Sequence, residues 1–320
     1  MDAPVAFRVD PAFRDDVLAG LAAPIPAVPA RWFYDRRGSE LFEEITRLSE
    51  YYPTRTETAL LEKISGELAG LLPAGAAVVE FGSGSSAKTP IVLRAAEPAA
   101  YVPIDISGDF LRDSAEALGA GFPGLLVLPV EADFMRRIAL PAEIAAMPRL
   151  GFFPGSTIGN LVARSAVDLL RAMKETLGEG SRLLIGMDRI KDVDVLLAAY
   201  DDAAGVTAAF NLNLLHRINA ELDGNIPVDA FRHRAIWNDP LSRIEMHLEA
   251  VRDVAFTVAG TPFAFAAGAT IHTENSHKYG YRDSRILLRA AGWGVTREWT
   301  DDREWFSILL AEAEPPRFAP

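Results

Sequence analysis

The sequence predicts an α/β protein with a doubly wound, Rossmann-like sheet and a second lobe of the α+β class. Between residues 76 and 188, short apolar segments of strand length alternate with helical segments, which is typical of parallel sheets covered by helices on both faces. After Asp188 this alternation stops, and it resumes only with a helical segment that starts at Ser284. A long insertion therefore interrupts the sheet, and ligands are expected at the carboxyl ends of its strands.

The N-terminal residues are predicted to form helices that follow an extended segment. Three prolines between Gly20 and Trp32 favour an extended crossing segment. Apolar residues at helical spacing predict a helix over 39–48, and Thr56 is positioned to cap a further helix over Glu57–Leu72.

The sheet and its helices are predicted from apolar runs that are bounded by turn residues. Strands are expected at 76–82, 99–107, 125–133, 150–160, 181–188 and, after the insertion, 305–313. Helices are expected at 88–96, 109–122, 166–177 and 284–293. Within the insertion, the sequence predicts a helical stretch and then strand-like segments, at 193–222, 233–238, 242–258 and 262–268.

These elements divide the chain into two predicted domains. The sheet domain comprises 57–190 and 279–320, whereas 1–56 and 191–278 form the second lobe, to which we assign substrate binding. Clefts between two lobes are preferred ligand sites, so we expect the ligand there.

The composition excludes several classes of protein. The 320 residues are 49% hydrophobic and 24% charged, and no apolar run approaches the ~20 residues that cross a bilayer. The chain has no cysteine, which excludes disulfides and thiolate metal sites, and its net charge of −12 disfavours nucleic acid as a partner. The acid-rich N-terminus lacks a signal-peptide pattern. We therefore expect a cytoplasmic monomer that acts on a small molecule away from membranes.

The first strand ends in a glycine-rich turn that suits a nucleoside cofactor. In VVEFGSGSSAKT, Gly82 and Gly84 allow a tight turn and close approach of the backbone to a ligand. Ala87 stands where a dinucleotide fingerprint has its third glycine. Alone, the turn also fits an ordinary strand-to-helix connection.

Carboxylates at the next two strand ends strengthen this interpretation. Asp105 ends the second strand, where a carboxylate can accept hydrogen bonds from both hydroxyls of a ribose. Asp133 and Phe134 close the third strand, where they can contact an adenine base. NAD and S-adenosylmethionine both fit this pattern, but only NAD has a pyrophosphate that would need the three-glycine cradle. S-adenosylmethionine is therefore favoured.

Six segments carry a resemblance to a known family. They are RWFYDRRGSELFEEITRLSEYYPTRTE (31–57), VEFGSGSSAKT (79–89), PGSTIGN (154–160), AYDDAAGVTAAFN (199–211), RIEM (243–246) and TENSHK (273–278). These segments resemble the family of L-histidine Nα-methyltransferases, which have the class I methyltransferase fold and form hercynine for ergothioneine biosynthesis. The resemblance covers nearly the whole chain.

The resemblance implies that the protein trimethylates the α-amino nitrogen of L-histidine with S-adenosyl-L-methionine and without a metal. It implies methyl-donor contacts at Gly82, Lys88, Asp105, Asp133 and Phe134. It implies that the amino-acid substrate is held by Tyr51, Asn160, Tyr200, Glu274 and Ser276.

Roles within the substrate site follow from the same resemblance. Asn160 and Tyr200 would address the amino and carboxylate ends, and Glu274 and Ser276 would bond the two imidazole nitrogens. The resemblance also implies that Tyr34 and Phe42 line the same pocket, and our own hypothesis for the mechanism is that Tyr34 or Tyr51 orients the reacting nitrogen. Taken singly, Asn160 also fits a helix cap, and the tyrosines also fit ordinary core positions.

A zinc enzyme is one alternative. His272, Glu274 and His277 could ligate a metal, but their spacing does not match a helical zinc motif. The other histidines, His216, His233 and His247, stand singly in the sequence. We therefore expect these side chains to be surface or satisfied core groups.

Three further alternatives concern the function itself. The glycine turn also fits an NAD-dependent oxidoreductase, and the same fold could bind its ligand without turnover. A methyltransferase of the same family could act on another amino acid or small amine. A carboxylate facing an imidazole N–H is needed only for histidine, so Glu274 discriminates among these substrates.

Overall fold

The computed structural model describes residues 10–70, 73–84, 88–106 and 108–315. Its helices are α1 (Pro11–Leu21), α2 (Arg36–Thr46), α3 (Tyr52–Ala69), α4 (Thr89–Ala96), α5 (Gly108–Ala120), α6 (Ala163–Leu177), α7 (Val193–Tyr200), α8 (Val206–Glu221) and α9 (Tyr281–Ala290). Its strands are β1 (Ala77–Phe81), β2 (Ala100–Asp105), β3 (Leu126–Val127), β4 (Val130–Glu131), β5 (Arg149–Phe153), β6 (Arg182–Asp188), β7 (Phe231–Asn238), β8 (Arg243–Ala250), β9 (Val254–Val258), β10 (Thr261–Phe265), β11 (Thr270–His277), β12 (Trp293–Thr300) and β13 (Phe306–Ala313). None of the described helices has the length and apolar character that a membrane-spanning helix requires.

The structure contains a helix, α1, that was not predicted. Its start is defined by Asp10, whose side chain accepts a hydrogen bond from the backbone N–H of Ala12 at 2.8 Å. Pro11 occupies the first turn, where its missing N–H has no effect on the helical hydrogen bonds.

The start of α3 differs from the prediction. This helix begins at Tyr52 rather than Glu57, so Thr56 lies inside the helix and does not cap it. Pro53 lies in the first turn, where proline is well accepted, and this allows the earlier start. The predicted end at Leu72 lies outside the described residues.

The third predicted strand is interrupted. Residues 125–133 form the short strands β3 and β4, each of which pairs with β2 in parallel. Pro129 lies between them and has no N–H to donate to the sheet, which explains the break.

The last predicted helix, 284–293, lies three residues too far towards the C-terminus, since α9 spans Tyr281–Ala290. α9 ends at Ala290, and Trp293 begins β12, a strand that was not predicted. Gly292, with a φ of 84°, makes the turn between them.

The predicted helical stretch at 193–222 is two helices. α7 and α8 are separated by a turn in which the Asp202 carboxylate accepts from the N–H groups of Val206 at 2.9 Å and Thr207 at 2.7 Å. A side chain that binds the first N–H groups of a helix defines a new start, so α8 begins independently of α7.

Within the described residues, the chain divides into two compact units. The insertion unit comprises Met1–Tyr52 and Lys191–His277, and the sheet unit comprises Pro53–Ile190 and Lys278–Pro320. The junctions lie after residues 52, 190 and 277; the expected positions were 56, 190 and 278.

The sheet unit has the strand order β12-β13-β6-β5-β1-β2-β3, and β4 also pairs with β2. β1 to β6 run parallel to one another, whereas β13 is antiparallel to both β6 and β12. One face packs against α3 and α4, and the other packs against α6 and α9. This confirms the predicted doubly wound sheet. The strand order reverses between β1 and β5, where such sheets bind ligands.

The insertion unit has α+β character. It contains the antiparallel sheet β11-β8-β7 and the hairpin β9-β10, and α2 packs against α8. The Asp35 carboxylate accepts from the N–H of Gly38 at 2.6 Å and from Asn213 Nδ2 at 2.9 Å. One side chain therefore caps α2 and joins it to α8, which positions the aromatic residues on either side of the cap.

Candidate functional site

In the sheet unit, the glycine turn after β1 lies against the ends of the neighbouring strands. Gly82 and Gly84 have φ values of 71° and 47°, which favour glycine. The N–H of Gly84 donates to Asp105 Oδ2 at 3.1 Å. A Cβ on Gly82 would lie 3.3 Å from the Phe134 ring, so a side chain there would crowd the turn. Ala87 lies outside the described residues.

The structure thus brings Gly82, Asp105 and Phe134 together at the carboxyl ends of the strands. Asp133 precedes Phe134 and is exposed, and its Oδ1 accepts from the N–H of Met135 at 2.9 Å. The Phe134 ring packs against Phe153 with centroids 6.0 Å apart. The half-buried Asp105 carboxylate, the exposed Asp133 carboxylate and the Phe134 ring can together hold a ribose and a purine base. The glycines leave room for both groups.

Lys88 is part of a buried ion pair that the sequence did not reveal. Its Nζ contacts the carboxylate of Glu57, which is 1% exposed. The same carboxylate accepts from the N–H of Gly155 at 2.8 and 3.1 Å. Glu57 ends the first segment of the resemblance, but it was predicted only to begin a helix.

A second buried carboxylate lies at the end of β1. Glu80 Oε2 accepts from Thr89 Oγ1 and from the Tyr101 hydroxyl, each at 2.6 Å. Burial raises the pKa of Glu80 to about 7, although the two hydrogen bonds act in the opposite direction. This side chain braces β1, β2 and the start of α4 below the glycine turn.

Asn160 ends the 3₁₀ turn Thr157–Asn160 that follows β5. The approach to this turn runs through Gly155 and Ser156, both with positive φ, and Ser156 Oγ accepts from the N–H of Asp188 at 2.8 Å. Asn160 is half-buried, and the cap residue of the following helix is Val162. The interpretation of Asn160 as a helix cap is therefore wrong.

In the insertion unit, four aromatic residues predicted to surround the substrate contact one another. The ring centroids are 5.7 Å apart for Tyr34 and Phe42, 6.3 Å for Phe42 and Tyr51, and 6.2 Å for Tyr51 and Tyr200. Phe210 touches Tyr34 and Phe42 at 5.9 and 6.0 Å and was not predicted. Phe210 could have been identified from the sequence because it lies in the segment AYDDAAGVTAAFN, which carries part of the resemblance.

Tyr200 also connects these rings to the polar substrate residues. Its hydroxyl lies 2.6 Å from Ser276 Oγ. Its backbone carbonyl accepts from His233 Nε2 at 2.8 Å, while Asn211 Nδ2 lies 2.9 Å from His233 Nδ1. Burial lowers the pKa of His233. This histidine is thus a neutral, satisfied core group, and it fixes the C-terminus of α7.

A β-bulge sets the direction of the polar residues on β11. The pairing of β11 with β8 shifts between His272, which faces His247, and Glu274, which faces Met246. His247 and Met246 are consecutive and point to opposite faces of the sheet. Glu274 therefore shares a face with Met246, as Ser276 does two residues later, while His272 points to the other face.

This geometry separates the three residues of the zinc alternative. His272 and Glu274 lie on opposite faces, so His272, Glu274 and His277 do not converge. Among the described residues, the group with potential metal-ligand atoms within 4.8 Å of one another is instead Glu245, His247 and His272. His247 stands singly in the sequence, but its ring centroid lies 5.0 Å from that of His272.

The Glu245 carboxylate in this group is already bound to a cation. Arg243 approaches its Oε1 to 2.6 Å, Asn238 donates to Oε1 at 2.8 Å, and His247 Nε2 lies 3.1 Å from Oε2. Burial raises the pKa of Glu245, but these hydrogen bonds outweigh it and lower the pKa to about 2. His272 Nε2 lies 3.0 Å from the Glu274 carbonyl oxygen, so this cluster braces the backbone at the bulge.

Comparisons with known proteins agree with this arrangement. A sequence profile described as histidine-specific methyltransferase, SAM-dependent, matches residues 13–313. Histidine N-alpha-methyltransferases from Mycolicibacterium smegmatis and Mycobacterium tuberculosis are 42% and 40% identical to the chain over 307 residues, which are 94% of this chain and 94% of each relative. Ergothioneine biosynthesis protein 1 from Neurospora crassa is 30% identical over 300 residues, which are 89% of this chain and 33% of that protein.

The fold and the comparisons lead to the same assignment. The sheet unit has the predicted class I methyltransferase fold, and the profile extends over both units of the chain. The chain belongs to the family of histidine-specific, S-adenosylmethionine-dependent methyltransferases.

Proposed function

We propose that this protein transfers three methyl groups from S-adenosyl-L-methionine to the α-amino nitrogen of L-histidine and forms hercynine for ergothioneine biosynthesis. The observation that carries the proposal is the 40–42% identity to two histidine N-alpha-methyltransferases over 94% of the chain. The reaction takes place in the cytoplasm, on the free amino acid, and the enzyme acts as a monomer without a metal.

The methyl donor binds at the strand ends of the sheet unit. The Asp105 carboxylate accepts hydrogen bonds from the ribose hydroxyls, and Asp133 accepts from the adenine amino group beside the Phe134 ring. Gly82 lets the backbone approach the ligand, and Lys88 borders the same turn. Support comes from the contacts among Gly82, Gly84, Asp105 and Phe134 at these strand ends.

The amino acid is held by polar side chains. Asn160 and Tyr200 address its amino and carboxylate ends. Glu274 and Ser276 bond the two imidazole nitrogens, which is supported by their common face on β11. A carboxylate suits an imidazole N–H because a hydrogen bond to a charged acceptor is stronger than one between neutral groups.

Catalysis depends chiefly on position. When bound, S-adenosyl-L-methionine supplies an electrophilic methyl group on a sulfonium. Each transfer forms one N–C bond, breaks one S–C bond and releases one proton from the amine. The side chains hold the nitrogen in line with the methyl group and exclude water, which lowers the barrier by removing the freedom of the two reactants.

The aromatic cluster accommodates the growing head group. The α-ammonium loses its proton to solvent, and the Tyr34 or Tyr51 hydroxyl orients the lone pair that remains. Tyr34, Phe42 and Tyr51 then present ring surfaces to an increasingly apolar, finally cationic group, to which aromatic faces are attractive. Their mutual contacts in the insertion unit support this role.

The proposal is tested by incubating the protein with S-adenosyl-L-methionine and each free amino acid in turn, with product masses as the readout. We expect mono-, di- and trimethylated histidine in sequence, and no product from the other amino acids. Turnover of a different amino acid or amine in place of histidine would contradict the assignment.

Residue roles are tested with variants in the same assay. Glu274→Ala should raise the KM for histidine about tenfold or more, since a hydrogen bond to a charged group contributes about 1.5–3 kcal/mol. His277→Asn, on the opposite face of β11, is the matched control and should leave that KM unchanged. If the double substitution Tyr34→Phe with Tyr51→Phe retains full activity, neither hydroxyl orients the amine.

A further inference from the structure

One buried carboxylate near the donor site has no part in the proposed function. Glu57 lies in the first turns of α3, in the sheet unit, and is 1% exposed. A carboxylate removed from water requires a charged or hydrogen-bonded partner, because the desolvation of an isolated charge is strongly unfavourable. Its partners therefore indicate what it stabilises.

The partners of Glu57 come from two different strand ends. Lys88, which immediately precedes α4, contacts its carboxylate through Nζ. Gly155, which follows β5, donates its N–H to the carboxylate at 2.8 Å from Oε2 and 3.1 Å from Oε1. These two strand ends flank the point at which the order of the sheet reverses.

The neighbouring strand is shaped to admit this carboxylate. A Cβ on Gly186, in β6, would lie 2.0 Å from Glu57 Oε1 and 3.0 Å from the Phe306 ring. Any larger residue at position 186 would therefore displace the side chain from its two partners. The glycine at this buried strand position is explained by the close approach of Glu57.

The charges around Lys88 form one cluster. The charge of Lys88 lowers the pKa of Glu80, and the charge of Glu57 raises it, so both act on the same buried carboxyl. Lys88 thus neutralises Glu57 directly and lies within electrostatic reach of Glu80. The loop after β1 is tied to the loop after β5 through the Glu57 carboxylate, which binds both Lys88 and the N–H of Gly155.

We propose that Glu57 is a positioning residue for the methyl donor, acting by fixing Lys88 and the backbone of Gly155 at the donor site. It does not touch the reacting atoms. Gly155 opens the segment that leads to Asn160, so the same carboxylate also anchors the turn that carries this substrate residue. The inference rests on the donor-binding part of the proposed function.

The test compares Glu57→Gln with Glu62→Gln, an exposed position on the same helix. Binding of S-adenosylhomocysteine is measured by calorimetry, and kcat and both KM values are measured with histidine. In Glu57→Gln the affinity for S-adenosylhomocysteine should fall about tenfold, which is a change of about 1.4 kcal/mol in binding free energy. The KM for the methyl donor should rise by a similar factor. The KM for histidine should change less, Glu57→Asp should recover part of the loss, and Glu62→Gln should match the wild type.

A double-substitution cycle separates positioning from a general structural role. Because Glu57 acts in part through Lys88, the loss of S-adenosylhomocysteine affinity in Glu57→Gln combined with Lys88→Met should be clearly smaller than the sum of the two single losses. Additive losses, or equal increases of both KM values that parallel a fall in melting temperature, would overturn the inference. Should Glu57→Gln not fold, Glu57→Asp takes its place in the cycle.

The same measurements distinguish this inference from the function on which it rests. A wild-type protein that binds S-adenosylhomocysteine but methylates no amino acid would refute the proposed function, and the cycle would still decide the role of Glu57. A wild-type protein that does not bind S-adenosylhomocysteine would overturn both.

Discussion

Replacing Glu80 by Gln should remove a pH-dependent loss of stability. Burial raises the pKa of Glu80 to about 7 in the folded protein, against an ordinary value of 4.5. The folded state therefore binds this proton more tightly than the unfolded state. The stabilisation is fully present below pH 4.5 and is lost as the pH rises through about 7.

The magnitude follows from the difference between the two pKa values. One pKa unit corresponds to about 1.36 kcal/mol, so ionisation of the buried carboxyl reduces the free energy of unfolding by at most about 3 kcal/mol. Glu80→Gln cannot ionise, and its amide oxygen can still accept from Thr89 and Tyr101. The unfolding free energy of Glu80→Gln should therefore not fall as the pH rises through about 7.

The assay is urea unfolding of the wild type and Glu80→Gln at a series of pH values from 4.5 to 8. All other titrating groups are common to both proteins, so the difference between their unfolding free energies isolates Glu80. From pH 4.5 to pH 8, the unfolding free energy of Glu80→Gln should rise relative to that of the wild type by up to about 3 kcal/mol. Parallel pH profiles for the two proteins would show that Glu80 does not titrate with a raised pKa.

Three further predictions concern the insertion unit. Tyr200→Phe and Ser276→Ala should each lower the unfolding free energy by about 1 kcal/mol. Because the two hydroxyls bond each other, the double variant should lose clearly less than the sum of the two single losses. Additive losses would contradict this. Phe210→Ala should lower the unfolding free energy by about 3–5 kcal/mol, since it removes a buried ring that contacts Tyr34 and Phe42; urea unfolding measures it, and an unchanged midpoint would argue against the packing. After dialysis against zinc, mass spectrometry should find well below one equivalent of zinc per protein, because the Arg243 guanidinium opposes a cation at Glu245. One equivalent of zinc that is lost in His247→Ala would show that this cluster binds the metal.

Local patterns in the sequence predicted most of the sheet unit. Buried strands such as β1 and β6 are largely apolar, because helices cover both of their faces. The pattern was less informative where burial is one-sided. β12 has one buried residue, Trp293, and seven that are half-buried or exposed, so it lacks the apolar run that would have marked it as a strand.

Candidate site residues could be named from the sequence only through the resemblance. A tyrosine at a helical core position has the same local pattern whether it packs or binds a ligand, so periodicity could not single out Tyr200. Phe210 was missed for this reason. The resemblance also could not show the bulge after His272, where one additional residue reverses the face to which the following side chains point.

Local sequence patterns were sufficient to predict the alternation of strands and helices, the positions of the glycine turn and the strand-end carboxylates, and the family. Those features depend on residues close together in the chain, whose burial repeats with the period of a strand or helix. Contacts between distant groups became visible only in the folded chain: Glu57 and Gly155 are 98 residues apart, and the aromatic cluster draws on separate segments. Such contacts depend on how elements pack and on whether each buried polar group finds a partner, and no local period records either.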